Sequence, residues 1–205
     1  MIGNDIVDLM DPQARGKSRD IPFMDRVFTP DERCLIQDSS NPDMMLWTLW
    51  TGKETGYKAL RRRSPAVSSA PRRYEVHLPC TGDHIPESGT VHTPCGPVSI
   101  RFCITGEYVH CVGATTDEEV DAISWDVQKM PRTQSSCDES LFVREMAKRG
   151  ISAWLDEQPE AVDIIRPEQD HGLAPPVIKI RGRNPSINLS MSHDGRFAAC
   201  AFSAD

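Results

Sequence analysis

A chain of 205 residues is long enough for one sizeable domain or two small ones sharing a core, and 39% hydrophobic with 26% charged residues is ordinary globular composition. The formal net charge of −7 argues against general nucleic-acid binding, which needs a basic surface, and no apolar run approaches the length of a membrane span. The opening Met1–Leu9 carries acids where a secretion signal needs basic and then apolar residues, so the expected compartment is the cytoplasm.

Met1–Leu9 is expected to form a buried strand, since Ile2, Ile6, Val7 and Leu9 stand among few polar residues and Asp11-Pro12 ends the run. Thr29-Pro30-Asp31-Glu32 has the chemistry of a helix start, with a side-chain cap, proline at the first helical position and acids in the first turn. A longer helix is predicted from Asp43 to Arg63. Leu46, Trp47, Leu49, Trp50, Tyr57 and Leu60 recur there at three- and four-residue intervals, and Ser64-Pro65 stops the run. Strands are expected at 74–78, 98–104 and 108–113, and a linker at 117–136. A second α/β stretch follows, with a helix over 138–154 and strands at 162–165 and 177–180. The last element reads as a hairpin, 187–192 and 196–202, joined through His193-Asp194-Gly195.

Charge is unevenly divided. Residues 1–73 hold 12 basic against 10 acidic residues and the remainder 11 against 20, so an acidic partner is expected to dock on the N-terminal part. The cysteines at 34, 80, 95, 103, 111, 137 and 200 are odd in number and scattered, which favours reduced thiols packed as small hydrophobes.

Three segments carry candidate chemistry. In Gly3-Asn4-Asp5-Ile6-Val7-Asp8, a carboxylate within an apolar strand is costly to bury unless it is paired, and it is either a strand-end acid or a metal ligand. In Trp50-Thr51-Gly52-Lys53-Glu54-Thr55-Gly56-Tyr57-Lys58, Glu54 and Lys58 share one helix face. They form either a surface ion pair or a cation ligand beside a phosphate donor, and Gly52 and Gly56 suggest a close approach. In Ser190-Met191-Ser192-His193-Asp194, the histidine is either a surface residue or a phosphate donor.

Together the Gly-x-Asp-Ile-Val strand, the Trp-x-x-Lys-Glu-x-x-x-Lys helix and the Ser-His segment resemble the 4′-phosphopantetheinyl transferases. Phe28-Thr29-Pro30-Asp31-Glu32 resembles a further segment of that family, as does Leu141-Phe142-Val143-Arg144 upstream of Ser192-His193. The motif order is that of the short acyl-carrier-protein synthases, whereas the length suits the two-lobed type. The resemblance implies an α+β fold of two similar α/β lobes, a pseudo-dimer with the active site between them. Residues 1–115 would carry the Asp and Lys-Glu motifs, 116–136 would link, and 137–205 would carry the Ser-His motif.

It implies transfer of 4′-phosphopantetheine from coenzyme A to a serine of an acyl or peptidyl carrier protein, with Mg²⁺ as cofactor. Asp5 and Glu54 would hold the metal and, with Lys58, form the catalytic set. Ser192, His193, Arg144, Lys53 and Lys58 would hold coenzyme A. Carrier proteins are usually acidic, so Arg15, Lys17, Arg19 and Arg26 make a docking stripe and Arg61, Arg62 and Arg63 a second; one chain with two lobes would act as a monomer. A family member without turnover, kept as a coenzyme A or carrier-binding module, is the alternative.

Two departures from the family pattern stand out. The second strand acid of the two-lobed type is Val7 here, leaving Asp8 on the opposite face, and the segment Gly172-Leu173-Ala174-Pro175 lacks the lysine that relatives bring to the nucleotide. His77, Cys80, His92 and Cys95 offer a rival four-ligand zinc site.

Overall fold

Strand β1 (Ile2–Asp8) is buried throughout, as its run of Ile2, Ile6 and Val7 requires. The computed structural model describes residues 1–61, 64, 66–79, 84–131, 135–169 and 172–204. After β1 come α1 (Ile21–Val27) and α2 (Pro30–Asp38). The predicted cap is present at α2: Thr29 accepts from the Glu32 N–H while the Glu32 side chain accepts from Thr29, a reciprocal capping box. The long helix α3 spans Pro42–Arg61. Strands β2 (Glu75–His77), β3 (Ser88–Thr93), β4 (Gly96–Ile104) and β5 (Tyr108–Ala114) then complete an antiparallel sheet in the order β1-β5-β4-β3-β2.

Helix α3 lies on this sheet because its small residues let the backbones close. A Cβ added at Gly3 of β1 would sit 2.1 Å from the Thr55 carbonyl oxygen, and one at Gly56 2.9 Å from Val91. Phe28, Ile36, Leu46, Leu49, Val91, Val98 and Ile100 fill the core between helix and sheet.

Beyond β5, the expected linker contains ordered elements: α4 (Asp117–Asp121) and β6 (Ser124–Lys129). Strand β6 is short and largely polar, so its periodicity is weak; its order comes from pairing with the final strand. Helix α5 (Ser136–Leu155) is capped by Ser135. Strands β7 (Val162–Ile165), β8 (Glu168–Gln169), β9 (Gly172–Leu173) and β10 (Val177–Ile180) form two small pairs, β7 with β10 and β8 with β9. The hairpin β11 (Ile187–Asp194) and β12 (Phe197–Ala204) makes a three-stranded sheet with β6, in the order β11-β12-β6. Pairing runs through Asp194 with Phe197, so the turn is Gly195-Arg196 rather than His193-Asp194-Gly195; Gly195 takes the positive φ of 51° that the reversal needs. Helix α5 packs on this sheet through Val143, Met146, Ala147 and Ile151.

The two sheets meet along β1. The N–H groups on its free edge are taken by side chains of β11: Asn4 N–H donates to Ser190 Oγ at 2.9 Å and Asp8 N–H to Asp194 Oδ2 at 2.7 Å. Ile2, Val112 and Ala201 on one side, and Ile6, Phe197 and Ala199 on the other, make the apolar seam.

Among the described residues no helix is long and apolar enough to cross a membrane. Of the described cysteines, Cys111 and Cys200 pack in the core as expected, whereas Cys34, Cys95 and Cys137 are exposed.

Candidate active site

Asp5 projects from β1 toward α3, where its Oδ1 lies 2.7 Å from the Lys58 ammonium. Asp5 is only 8% exposed, and burial lifts its carboxyl above the usual range, against the opposing Lys58 charge. Glu54, one helical turn before Lys58, is pushed up to about 7, first by burial and then by the Asp5 charge, with Lys58 again opposing. Two acids and one ammonium are thus held in a poorly solvated place, where the ionised acids repel each other and one cation offsets them only in part. A divalent cation would relieve that excess. Two carboxylates form a hard oxygen donor set of the kind Mg²⁺ takes together with phosphate and water. No third His, Cys, Asp or Glu among the described residues completes a metal cluster.

Asp5 and Glu54 line a cleft of about 460 Å³ together with His193 and Asp194 from β11 and an aromatic wall of Phe23, Trp47 and Trp50. The sequence separates these residues by nearly the whole chain; the meeting of β1 with β11 puts them on one surface. Burial lifts Asp194 to about 6 even though it accepts the Asp8 N–H. Glu54 also lines a second cavity of about 240 Å³ on the other side, with Lys58, Arg61, Arg166, Ser190 and Met191. Arg166 lies below its ordinary value, through burial and then through the neighbouring Arg61 and Arg144 charges. This second cavity is therefore cationic, and it adjoins the acid pair.

The remaining expected site residues fall into different places. Lys53, expected at coenzyme A, is instead buried in the core: its ammonium lies 2.6 Å from Glu32 and donates to the Tyr74 carbonyl at 2.6 Å. Glu32 also accepts from the Thr29 and Val76 N–H groups, so the pair is fully used as a strut between α2, α3 and β2. The helix turns Lys53 and Lys58 to opposite faces, and of the two lysines Lys58 lines a cavity. Ser192 is 7% exposed and its hydroxyl has no partner among the described residues; Ser190, two residues earlier, is the serine that lines the cationic cavity. Arg144 is half-buried, near Arg166, with Ser140 as a hydrogen-bond partner.

Asp8 points away from Asp5 and has a different use. Its oxygens accept from the Arg196 guanidinium twice, at 2.8 Å each, and from the Arg196 and Met10 N–H groups. Burial works to raise its pKa, yet these donors hold it below the usual carboxylate value. It clamps β1 to the hairpin.

Of the expected docking stripe, Arg15, Arg19 and Arg26 are exposed and Lys17 reaches the rim of the acidic cleft, its ammonium 4.5 Å from the Phe23 ring centroid. Arg62 and Arg63 lie outside the described residues, as does Cys80 of the zinc expectation. His77 and His92 stack with ring centroids 4.1 Å apart. Arg166 was the residue sequence reasoning missed. It sits between a strand and Pro167 with no motif around it, and only the packing of the two sheets brings it to Lys58.

No curated protein matches the chain. The family model that does match covers residues 1–104, a segment that holds β1, α3, Asp5, Glu54 and Lys58 but stops before the hairpin. That match agrees with the mixed α/β architecture and with the acid pair that β1 and α3 present, and on these grounds the chain belongs to the 4′-phosphopantetheinyl transferase superfamily, whose members use coenzyme A and act on carrier proteins.

Proposed function

We infer that the protein transfers 4′-phosphopantetheine from coenzyme A to a serine hydroxyl of an apo acyl or peptidyl carrier protein, releasing 3′,5′-ADP. The observation that carries this is the position of Glu54, shared between an acidic cleft with Asp5 and His193 and a cationic cavity with Lys58, Arg61 and Arg166. Such an arrangement suits a pyrophosphate that bridges the two, with its leaving half among the cations. Two lobes divided near residues 115 and 137 and joined at β1 would complete the site within a single chain, so a monomer suffices.

In the reaction the serine oxygen bonds to the β-phosphorus, the bridging P–O bond breaks, and the serine proton leaves. The substrate is highly charged, so the residues mainly neutralise and orient. Magnesium held by Asp5 and Glu54 would supply positive charge to the phosphates. Lys58 faces the bridging oxygen and offsets its charge as it departs; Arg61, Arg144 and Arg166 hold the phosphates of the nucleotide half. Glu54 accepts the serine proton directly or through water. His193 donates to a phosphate from the hairpin side. The aromatic wall and the basic stripe of Arg15, Lys17, Arg19 and Arg26 then receive the acidic carrier at the open mouth of the cleft.

Mass spectrometry of an apo carrier protein incubated with enzyme, coenzyme A and magnesium is expected to show the added phosphopantetheine arm. Asp5→Ala and Glu54→Ala are each expected to abolish it while circular dichroism stays unchanged; wild-type rates from either variant would refute the assigned roles.

A further inference from the structure

Side chains of β11 close the edge of β1 as a regular ladder with its middle rung unmade. The Asn4 N–H donates to Ser190 Oγ at 2.9 Å and the Asp8 N–H to Asp194 Oδ2 at 2.7 Å, so the two strands run in step. Alternate residues of a strand share a face and an edge direction, which sets the Ile6 N–H opposite Ser192. That pair is not joined. Ser192 is 7% exposed, lines neither cavity, and its Oγ has no partner among the described residues. The Ile6 N–H instead hydrogen-bonds the Asp5 carboxylate, which also accepts from the Lys58 ammonium at 2.7 Å. A buried hydroxyl without a partner costs stability, and this one stands opposite an edge N–H that is taken by a candidate metal ligand.

We propose that Ser192 is a positioning residue for Asp5: it accepts the Ile6 N–H when the Asp5 carboxylate turns to a divalent cation, completing the ladder between β1 and β11. This rests on the reading of Asp5 as a metal ligand. A carboxylate drawn to a cation would otherwise leave a buried N–H without an acceptor, and the waiting hydroxyl removes that cost. Ile6 itself is only 2% exposed, so water does not supply the acceptor. The exchange also couples metal uptake to the seating of the hairpin, because β11 brings His193 to the acidic cleft and Ser190 to the cationic cavity.

Calorimetry with magnesium alone, thermal melts and amide spectra of the full-length protein test this. Ser192→Ala is expected to weaken magnesium binding about tenfold, as the orphaning of one buried N–H does. Its metal-free Tm stays at or slightly above the wild-type value, because the hydroxyl it loses is unpaired. Ser190→Ala breaks a rung already formed and lowers the metal-free Tm. In the magnesium-loaded wild type the Ile6 amide keeps the small temperature coefficient of a hydrogen-bonded N–H. In loaded Ser192→Ala it takes the large coefficient of an unbonded one. Unchanged magnesium affinity in Ser192→Ala, an Ile6 amide indifferent to the substitution, or a metal-free Tm that falls as in Ser190→Ala overturns the proposal. Loss of coenzyme A affinity in Ser192→Ala, measured without metal, overturns it as well and places the hydroxyl at the phosphates. If the wild type binds magnesium no more tightly than Asp5→Ala does, the metal reading of Asp5 fails and takes the proposal with it.

Discussion

Glu54 and Lys53 are adjacent in sequence and opposite in fate. Glu54 is held near neutrality by burial and Asp5, so in the metal-free protein a proton competes with a cation for it. Because its folded pKa is raised, the protonated form dominates below about 7. Magnesium binding is therefore expected to release a proton and to tighten as pH rises through that value, measurable by calorimetry in buffers of different ionisation enthalpy; pH-independent affinity between about 6 and 8 would count against Glu54 as ligand. Lys53 is the buried partner of Glu32. Lys53→Met leaves that carboxylate without its cation, a loss of about 3–5 kcal/mol for a buried pair broken on one side. Thermal denaturation is expected to show a Tm lower by roughly 10 °C, since each kcal/mol moves a domain of this size a few degrees. The folded fraction should keep its KM for coenzyme A, because the ammonium is fully buried against Glu32. A raised KM with an unchanged Tm would return Lys53 to the site.

At the level of elements, β1 serves both sheets at once. One face needs Gly3, since any Cβ would collide with the α3 backbone, and that contact sets the separation of Asp5 from Lys58. The opposite face needs Asp8, whose grip on Arg196 closes the hairpin onto the strand. Gly195 belongs to the same device: a Cβ there would lie 2.6 Å from Asp8 Oδ2. Arg196→Ala leaves Asp8 buried with fewer donors and is expected to lower Tm, by less than loss of a fully buried partner would because Arg196 is 36% exposed. The more telling effect is on activity: with β11 loosened from β1, KM for coenzyme A rises although no residue that touches substrate has changed. Tm and KM measured together check this; a change in Tm alone would mean that the clamp stabilises the fold without setting the site. The strand and helix of the acid pair were legible in the sequence because their apolar spacing and caps are local. Strand β6 was not, since its six residues carry little periodicity and order only against β12.

Over the whole molecule, charge is sorted more finely than the difference between chain halves suggests. Glu54 lines both the acidic cleft and the cationic cavity, while Arg15, Arg19 and Arg26 are exposed and Lys17 lines the cleft. Recognition of an acidic carrier by exposed charges is screened by salt. KM for the carrier is expected to climb with ionic strength while kcat holds, and the double variant Arg19→Glu/Arg26→Glu to raise that KM by about tenfold and flatten its salt dependence. A salt-independent KM would place carrier docking elsewhere.

Sequence order was enough for the family, the acid pair, the capped α2, the long α3 and the closing hairpin, because each depends on spacing within a few turns or one reversal. Which lysine of the helix lines a cavity, which serine reaches the cationic cavity, and the arrival of Arg166 beside Lys58 all depended on how the chain packs around β1. Contacts between residues more than a hundred positions apart leave no local pattern. They follow from burial, edge hydrogen bonding and charge pairing, which are satisfied only when the chain is packed.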